Sequence, residues 1–253
     1  MVVLIIAGLD PSGGAGLVAD AATVVRRGFH PAAVATGWTI QDSAHCAGWD
    51  PVSPELVAKQ LSLLVEDLPI RAIKIGMVGS TAMAQALAQA IGPLCERAVP
   101  MVLDPVLHAS IGSGLYGGDP KALSPLLHRA MLVTPNRDEA ERLTGIRVSD
   151  CASQEAAARA LVAAGAGGAL VKGGHLAGPE SVDLLFDGRE TVLFRMPRRS
   201  GITPHGTGCA LSSEIACALA AGETLHSAVA TAHARVAARI AAATPLGRGR
   251  SFC

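Results

Sequence analysis

Residues 205–209, His-Gly-Thr-Gly-Cys, run straight into a segment that is apolar nearly all round, Ala210 to Ala221. Glycines at 206 and 208 allow a backbone to approach a ligand closely, and a helix starting here aims unpaired N–H groups at it. A helix start carries about half a positive charge and suits a phosphate or a developing anion. Cys209 falls in the first turn of that helix, where the same field favours thiolate over thiol. A glycine-rich turn that merely caps a core helix has the same sequence, so this stretch alone does not decide between the two.

Other polar residues bear on the choice. Apolar runs of strand length end abruptly in polar or glycine-bearing steps: Val2–Ala7 in Gly8-Leu9-Asp10-Pro11, Ala72–Ile75 in Gly76-Met77, and Met101–Leu103 in Asp104-Pro105. Met131–Val133 ends in Thr134-Pro135-Asn136, and Ala169–Val171 in Lys172-Gly173-Gly174-His175. Short apolar runs without alternation read as strands buried on both faces, hence a parallel sheet flanked by helices. Ligands of such sheets bind beyond the carboxyl ends of the strands. One sheet edge is therefore expected to carry Asp10, Asp104, Asn136, Glu139 and Lys172, facing the turn at 206–209. Asp20 shares a helix face with Leu17 and Val24, where a carboxylate is costly unless it is paired, ligand-bound or at the stripe's edge reaching water.

The elements that must hold these residues follow from local signals. A helix is expected from about Leu17 to Arg27, closed by Gly28; the glycines before it match neither a Walker loop nor a dinucleotide fingerprint. Val34-Ala35-Thr36 reads as a second strand. Ser53 starts a helix over Pro54–Glu66 and Ser80 another over Ala82–Ile91. Asn136–Leu143 is a short helix stopped by Gly145, and Ser153 caps one running to Ala164 with Gly165 as its stop. Val182–Phe186 and Thr191–Phe194 form a hairpin at Asp187-Gly188, and the last long helix spans about Thr224–Ala243. The alternation predicts a doubly wound α/β fold, a mainly parallel sheet with helices on both faces and a hairpin at one edge. No composition break or repeat divides the chain, which is read as one domain over 1–253.

Lys plus Arg equals Asp plus Glu at 21 each and aromatics make up 3% of the 253 residues. Neither charge nor stacking surface suits nucleic acid as the main partner. The opening apolar run is too short for a signal peptide or a membrane span, so the chain is read as cytoplasmic, with no membrane partner. Six cysteines form no C-x-x-C pair, which argues against structural zinc.

With these motifs in place, the chain resembles the hydroxymethylpyrimidine/phosphomethylpyrimidine kinases of thiamine biosynthesis, a branch of the ribokinase-like superfamily. Residues 6–16 with Ala19-Asp20, Lys74-Ile75-Gly76-Met77, Val102–Val106, Thr134-Pro135-Asn136 with Glu139-Ala140, Val171–Leu176 and His205–Cys209 carry the resemblance. It implies ATP-dependent phosphorylation of a hydroxymethyl group on an aminopyrimidine and then of the monophosphate, with Mg²⁺, by a homodimer. It implies that the pyrimidine sits near Gly8, Asp20, Gln41, Met77 and Val106. Gln41 offers donor and acceptor to an amidine-like edge; Met77 suits a flat heteroaromatic ring. Asn136 and Glu139 match the superfamily's Asn-x-x-Glu element, with Glu139 holding metal, Asp104 assisting, and Asn136 and Lys172 on the nucleotide side. Cys209 stands where ribokinase-like enzymes often place an Asp, and is expected as general base beside the N–H groups of Gly206, Thr207 and Gly208. Leu9, Trp38, Asp42 and a short C-terminal tail depart from the family pattern. A pyridoxal kinase and a non-catalytic vitamer- or phosphate-binding homologue remain as alternatives; a dinucleotide oxidoreductase fails on its glycine spacing.

Overall fold

The protein is described from a computed structural model, which covers residues 1–109, 114–174, 180–197, 205–245, 248–249 and 251–252. Its centre is a nine-stranded sheet in the order β3-β2-β1-β4-β5-β6-β7-β8-β9. The strands are β1 (Val2–Leu9), β2 (His30–Gln41), β3 (Cys46–Pro51), β4 (Ile70–Ile75), β5 (Met101–Leu103), β6 (Leu132–Val133), β7 (Ala169–Val171), β8 (Glu180–Phe186) and β9 (Thr191–Pro197). From β2 across β1, β4, β5 and β6 to β7 every pairing is parallel.

The unalternating β1 run is explained by burial on both faces. Val2, Leu4 and Ile6 enter one apolar core and Val3, Ile5 and Ala7 the other, because successive side chains leave a strand on opposite sides. The first core is covered by α2 (Pro54–Asp67), α3 (Thr81–Ala90) and α7 (Cys151–Ala163), through Val57, Leu61, Leu87 and Leu161. The second is covered by α1 (Gly16–Arg26), α8 (Thr207–Ala220) and α9 (Leu225–Ala242). The short helices α4 (Gly92–Glu96) and α5 (Ser124–Leu127), and α6 (Arg137–Thr144), add Leu94, Leu126 and Ala140 to the first core. Each fully buried Leu or Ile of β1 contributes about 1.5–3 kcal/mol through the area it removes from water.

The hairpin at Asp187-Gly188 forms as expected, with Asp187 Oδ1 accepting from the N–H groups of Arg189 and Glu190, both at 2.8 Å. A second hairpin, not expected, closes the opposite edge. The expected three-residue strand at 34–36 is a twelve-residue strand that pairs antiparallel with β3. Beyond Gly37 it alternates between exposed and covered side chains, the pattern of an edge ribbon with one open face. Ser53 and Ser80 cap α2 and α3 as expected. The cap of α7 is Asp150 and not Ser153; Ser153 is the third helical residue and returns the capping box. The helix after the glycine turn starts at Thr207, so Thr207, Gly208 and Cys209 are its first turn.

Candidate active site

Two glycine-bearing loops interlock beyond the ends of β1 and β4. Asp10, buried, organises the first: its carboxylate accepts from Ser12 N–H at 2.8 Å, Ser12 Oγ–H at 2.7 Å and Ala15 N–H at 3.0 Å. Its Oδ2 also lies 3.0 Å from His205 Nε2, at the head of the second loop. Burial alone raises the Asp10 carboxyl, but the hydrogen bonds from His205 and Ser12 hold it below the ordinary carboxylate range. Gly206, with φ of 76°, is packed so closely on the Gly14 carbonyl that any side chain there collides with backbone. The contact fixes where α8 begins. Ala210 is the first residue whose N–H is taken inside that helix, by Gly206 O at 2.9 Å, which leaves the N–H groups of Thr207, Gly208 and Cys209 without an intrahelical acceptor.

Behind this helix start lie two Lys–Asp pairs, one of them fully buried. Lys172 Nζ is 3.0 Å from Asp104 Oδ1, and Thr134 and Ser212 donate to the same carboxylate at 3.2 and 3.3 Å. A Cβ on Gly208 would stand 3.1 Å from Lys172 Nζ, so the ammonium lies directly against the helix start. Burial raises the Asp104 carboxyl, and Lys172 followed by Lys74 overcome that and lower it. In the second pair Lys74 Nζ is 2.5 Å from Asp20 Oδ2, while Ser213 donates to Asp20 Oδ1 at 2.8 Å. Both residues are fully buried. Burial opposes the charge on Lys74, yet Asp20, Cys209 and Asp104 keep its ammonium protonated beyond the ordinary lysine range. For Asp20 burial outweighs Lys74 and pushes the carboxyl up. We take the pair as ionised, since Lys74 and Ser213 supply a donor to each carboxylate oxygen.

Asn136 and Glu139 form a capping box at the start of α6: Asn136 Oδ1 accepts from Glu139 N–H at 2.9 Å, and Glu139 Oε2 accepts from Asn136 N–H at 2.8 Å. Asn136 is bridged to Lys172, whose N–H donates to Pro135 O at 2.9 Å. Burial pushes the Glu139 carboxyl up to about 7, against the pull of the Lys172 ammonium. Asp104 and Glu139 thus present hard carboxylate oxygens around one lysine, a donor set of the kind magnesium takes alongside phosphates and water.

Of the expected pyrimidine residues, Gly8, Met77 and Val106 come together. A Cβ on Gly8 would meet Met77 Sδ at 2.5 Å, so this glycine leaves room for the thioether. Met77 and Val106 belong to one apolar cluster with Cys46, Trp49 and Leu115. Gln41, at the end of β2, pairs in register with Cys46 of that cluster and has its amide nitrogen position 2.9 Å from His205 Nε2 at the head of the glycine turn. If that ring nitrogen donates to Asp10, Gln41 must turn its carbonyl oxygen to the ring and keep its NH₂ for another partner. Asp20 does not line the same space: it is 0% exposed and bonded to Lys74 and Ser213, so it lies beneath the floor. The water-reaching alternative for Asp20 is likewise ruled out by its burial.

Cys209 departs from the expectation drawn from the helix field. Burial pushes its thiol up to about 11, with Lys74 as the strongest opposing charge and a hydrogen bond from Gly16 N–H also favouring thiolate. Desolvation therefore outweighs the helix start in the ligand-free chain. Sequence reasoning missed Lys74, whose setting in Ile70–Ile75 looks like an ordinary strand, and missed Ser212 and Ser213; two serines and Glu214 inside an otherwise apolar helix were the available signal. Among the departures, Asp42 forms the β2–β3 turn by accepting from Ala44 and His45 N–H at 2.8 and 2.9 Å. Trp38 is 49% exposed, and Leu9 is half-buried beside it in the strand register. His175 and Leu176 lie outside the described residues.

Residues 10–252 match the family model for phosphomethylpyrimidine kinase. The chain is 43% identical over 251 residues to the thiamine biosynthesis bifunctional protein ThiED of Geobacter sulfurreducens, covering 98% of this chain but half of that longer protein. It is 40% identical over 249 residues to the hydroxymethylpyrimidine/phosphomethylpyrimidine kinase of Streptomyces coelicolor, covering 98% of this chain and 91% of that one. Among solved structures, the pyridoxal kinase of Staphylococcus aureus in complex with ADP superposes with a TM-score of 0.90 at 28% identity, covering 99% of this chain and 92% of that chain. The ribokinase-like sheet, the helix start at Thr207 and the full-length matches agree: the chain belongs to the hydroxymethylpyrimidine/phosphomethylpyrimidine kinase family, phosphotransferases of thiamine biosynthesis.

Proposed function

We propose that the chain, as one kinase domain over residues 1–253, transfers a phosphoryl group from ATP to the hydroxymethyl oxygen of an aminopyrimidine and then to the resulting monophosphate. One observation carries this reading: the open N–H groups of α8, the Lys172 ammonium and the carboxylates of Asp104 and Glu139 converge beyond the strand ends. Phosphoryl transfer needs little more than such positioning and neutralisation. The N–H groups of the 206–208 turn hold the transferring phosphoryl oxygens. Lys172 and Asn136 serve the nucleotide phosphates. Glu139 with Asp104 would hold Mg²⁺, which when bound neutralises charge on those phosphates. Cys209 takes the hydroxyl proton, and Gly8, Gln41, Met77 and Val106 receive the ring. The enzyme would act as a homodimer in the cytoplasm. Trp38 and Ile40, 49% and 59% exposed on β2, supply apolar surface for a second copy. The free cysteines among the described residues suit a reducing compartment.

Similarity to a pyridoxal kinase structure keeps the pyridine substrate as the competing reading. The test is ATP consumption with hydroxymethylpyrimidine, its monophosphate and pyridoxal in parallel, with and without Mg²⁺. Turnover of both pyrimidines in excess of pyridoxal, dependent on Mg²⁺, is expected. Turnover of pyridoxal alone, or of none of the three, contradicts the reading.

A further inference from the structure

Lys74 has no place in the chemistry described so far, yet its burial demands a reason. A lysine that is 0% exposed in the middle of a sheet is costly, and a hydrophobic residue of similar volume would hold β4 at least as well. Its surroundings all belong to the site. Asp20, its partner, lies one helical turn beyond Gly16 on α1, and Gly16 N–H donates to the Cys209 sulfur. Ser213, which donates to the same Asp20, lies one turn beyond Cys209 on α8. Residues four apart share a helix face. The Gly16/Asp20 face of α1 is thus set against the Cys209/Ser213 face of α8, with the thiol at the upper contact and the carboxylate at the lower one. Lys74 enters from β4 and threads under Gly76, where a Cβ would come within 2.7 Å of its Nζ. The charged and titratable groups around the thiol are Lys74 from β4, Asp20 from α1, Asp104 after β5 and Lys172 after β7. Of the two cations, Lys74 acts on the thiol the more strongly.

We propose that Lys74 is a positioning residue for phosphoryl transfer: its buried ammonium, anchored by Asp20, is the counter-charge for a Cys209 thiolate. The inference rests on the reading of Cys209 as the base. The thiol first gives its proton to solvent. The thiolate then takes the proton of the substrate hydroxyl as that oxygen bonds to phosphorus and the bond to the leaving ADP breaks, and the thiol is restored for the next cycle. Asp20 keeps the ammonium from drifting toward the phosphates, where Lys172 already serves.

The test uses the full chain with Lys74→Met, with Lys74→Met/Asp20→Leu, and with Cys209→Ala as a blank. The double variant leaves neither charge stranded, so it is the one expected to fold; thermal melting checks this. The rate of alkylation of the Cys209 peptide by iodoacetamide, followed by mass spectrometry against pH, gives the thiol midpoint, since only thiolate reacts. Lys74 acts on the thiol more strongly than Asp20 does. The folded double variant should therefore show a raised midpoint, each unit of which is a tenfold lower thiolate fraction. Its kcat should fall by about the same factor near neutral pH and recover as pH rises, with KM for the pyrimidine within about twofold. An unchanged midpoint in the folded double variant overturns the proposal. A raised midpoint with level kcat upholds the counter-charge and removes Cys209 from proton transfer, a failure of the base reading alone.

Discussion

Two Lys–Asp pairs lie side by side beneath one helix, and they differ most in their exposure. Lys74–Asp20 is sealed, with side chains 1% and 0% exposed. Lys172–Asp104 is ajar, its lysine 15% exposed and pressed on Gly208 at the start of α8. Consecutive serines of α8 serve them in parallel, Ser213 donating to Asp20 and Ser212 to Asp104. The sealed pair has no route to exchange partners and can act only as a fixed field. The ajar pair can trade its internal contact for a phosphate that arrives at the helix start. Identical residue types thus take different work from their access to solvent and ligand.

The sharpest way to break this contrast is to remove one lysine at a time. Lys74→Met strands the buried Asp20 and should destabilise the fold by about 3–5 kcal/mol in urea unfolding, as breaking a buried pair does. Lys172→Met should leave most of the stability in place, because Thr134 and Ser212 still donate to Asp104. Its effect should appear in kcat, down by about 10²–10³, or about 2.7–4 kcal/mol of transition-state stabilisation, as for loss of a donor aimed at developing charge. Equal stability losses in the two variants would show that the pairs are alike and the difference in access is irrelevant.

Glu139 sharpens the comparison through pH. Its carboxyl titrates near 7 in the folded chain against an ordinary 4.5. The native state therefore binds a proton that the unfolded chain has released, and stability falls as pH rises from about 4.5 to about 7. Glu139→Gln keeps a side-chain acceptor for Asn136 N–H and removes this dependence. It should match the wild type at pH 4 and exceed it at pH 8 by on the order of 3 kcal/mol in the ligand-free chain. The measurement is the urea midpoint of both chains at the two pH values; a variant less stable than the wild type at pH 8 would show that folding favours the Glu139 carboxylate and does not raise its titration point.

A smaller effect is expected at Gln41, which touches His205 at the head of the glycine turn. Gln41→Met should raise KM for hydroxymethylpyrimidine by about 1–3 kcal/mol equivalent. The monophosphate, with a second handle in its phosphate, should be less affected. Steady-state kinetics on both substrates decides it, and equal losses confined to kcat would place Gln41 in the chemistry.

Much of the site was legible in the sequence because parallel strands end where their polar residues begin. That rule picks out Asp10, Asp104, Asn136, Glu139 and Lys172; the last four lie together, and Asp10 is tied to the glycine turn through His205. What stayed hidden depends on contacts far apart in the chain. Lys74 and Asp20 are 54 residues apart, and nothing local to Ile73-Lys74-Ile75 tells a buried ammonium from an outward-facing one. Ser212 and Ser213 read as ordinary helix residues until the two aspartates are seen beneath them. The Cys209 thiol was read from the helix field alone; burial, which pushes it the other way, is a tertiary quantity. The β2–β3 edge was missed because an edge ribbon with one open face carries exposed Trp38 and Ile40, and so lacks the all-apolar signature of the central strands.

The most direct test of the account is kcat of Cys209→Ala on both pyrimidine substrates across the pH range, beside Cys209→Asp. A fall of about 10²–10⁴ in the Ala variant with substrate affinity little changed, and partial recovery in the Asp variant, is the result expected of a proton acceptor in the transition state. Near-full kcat for Cys209→Ala at every pH would contradict it and leave the anion-holding helix start as the whole of the contribution.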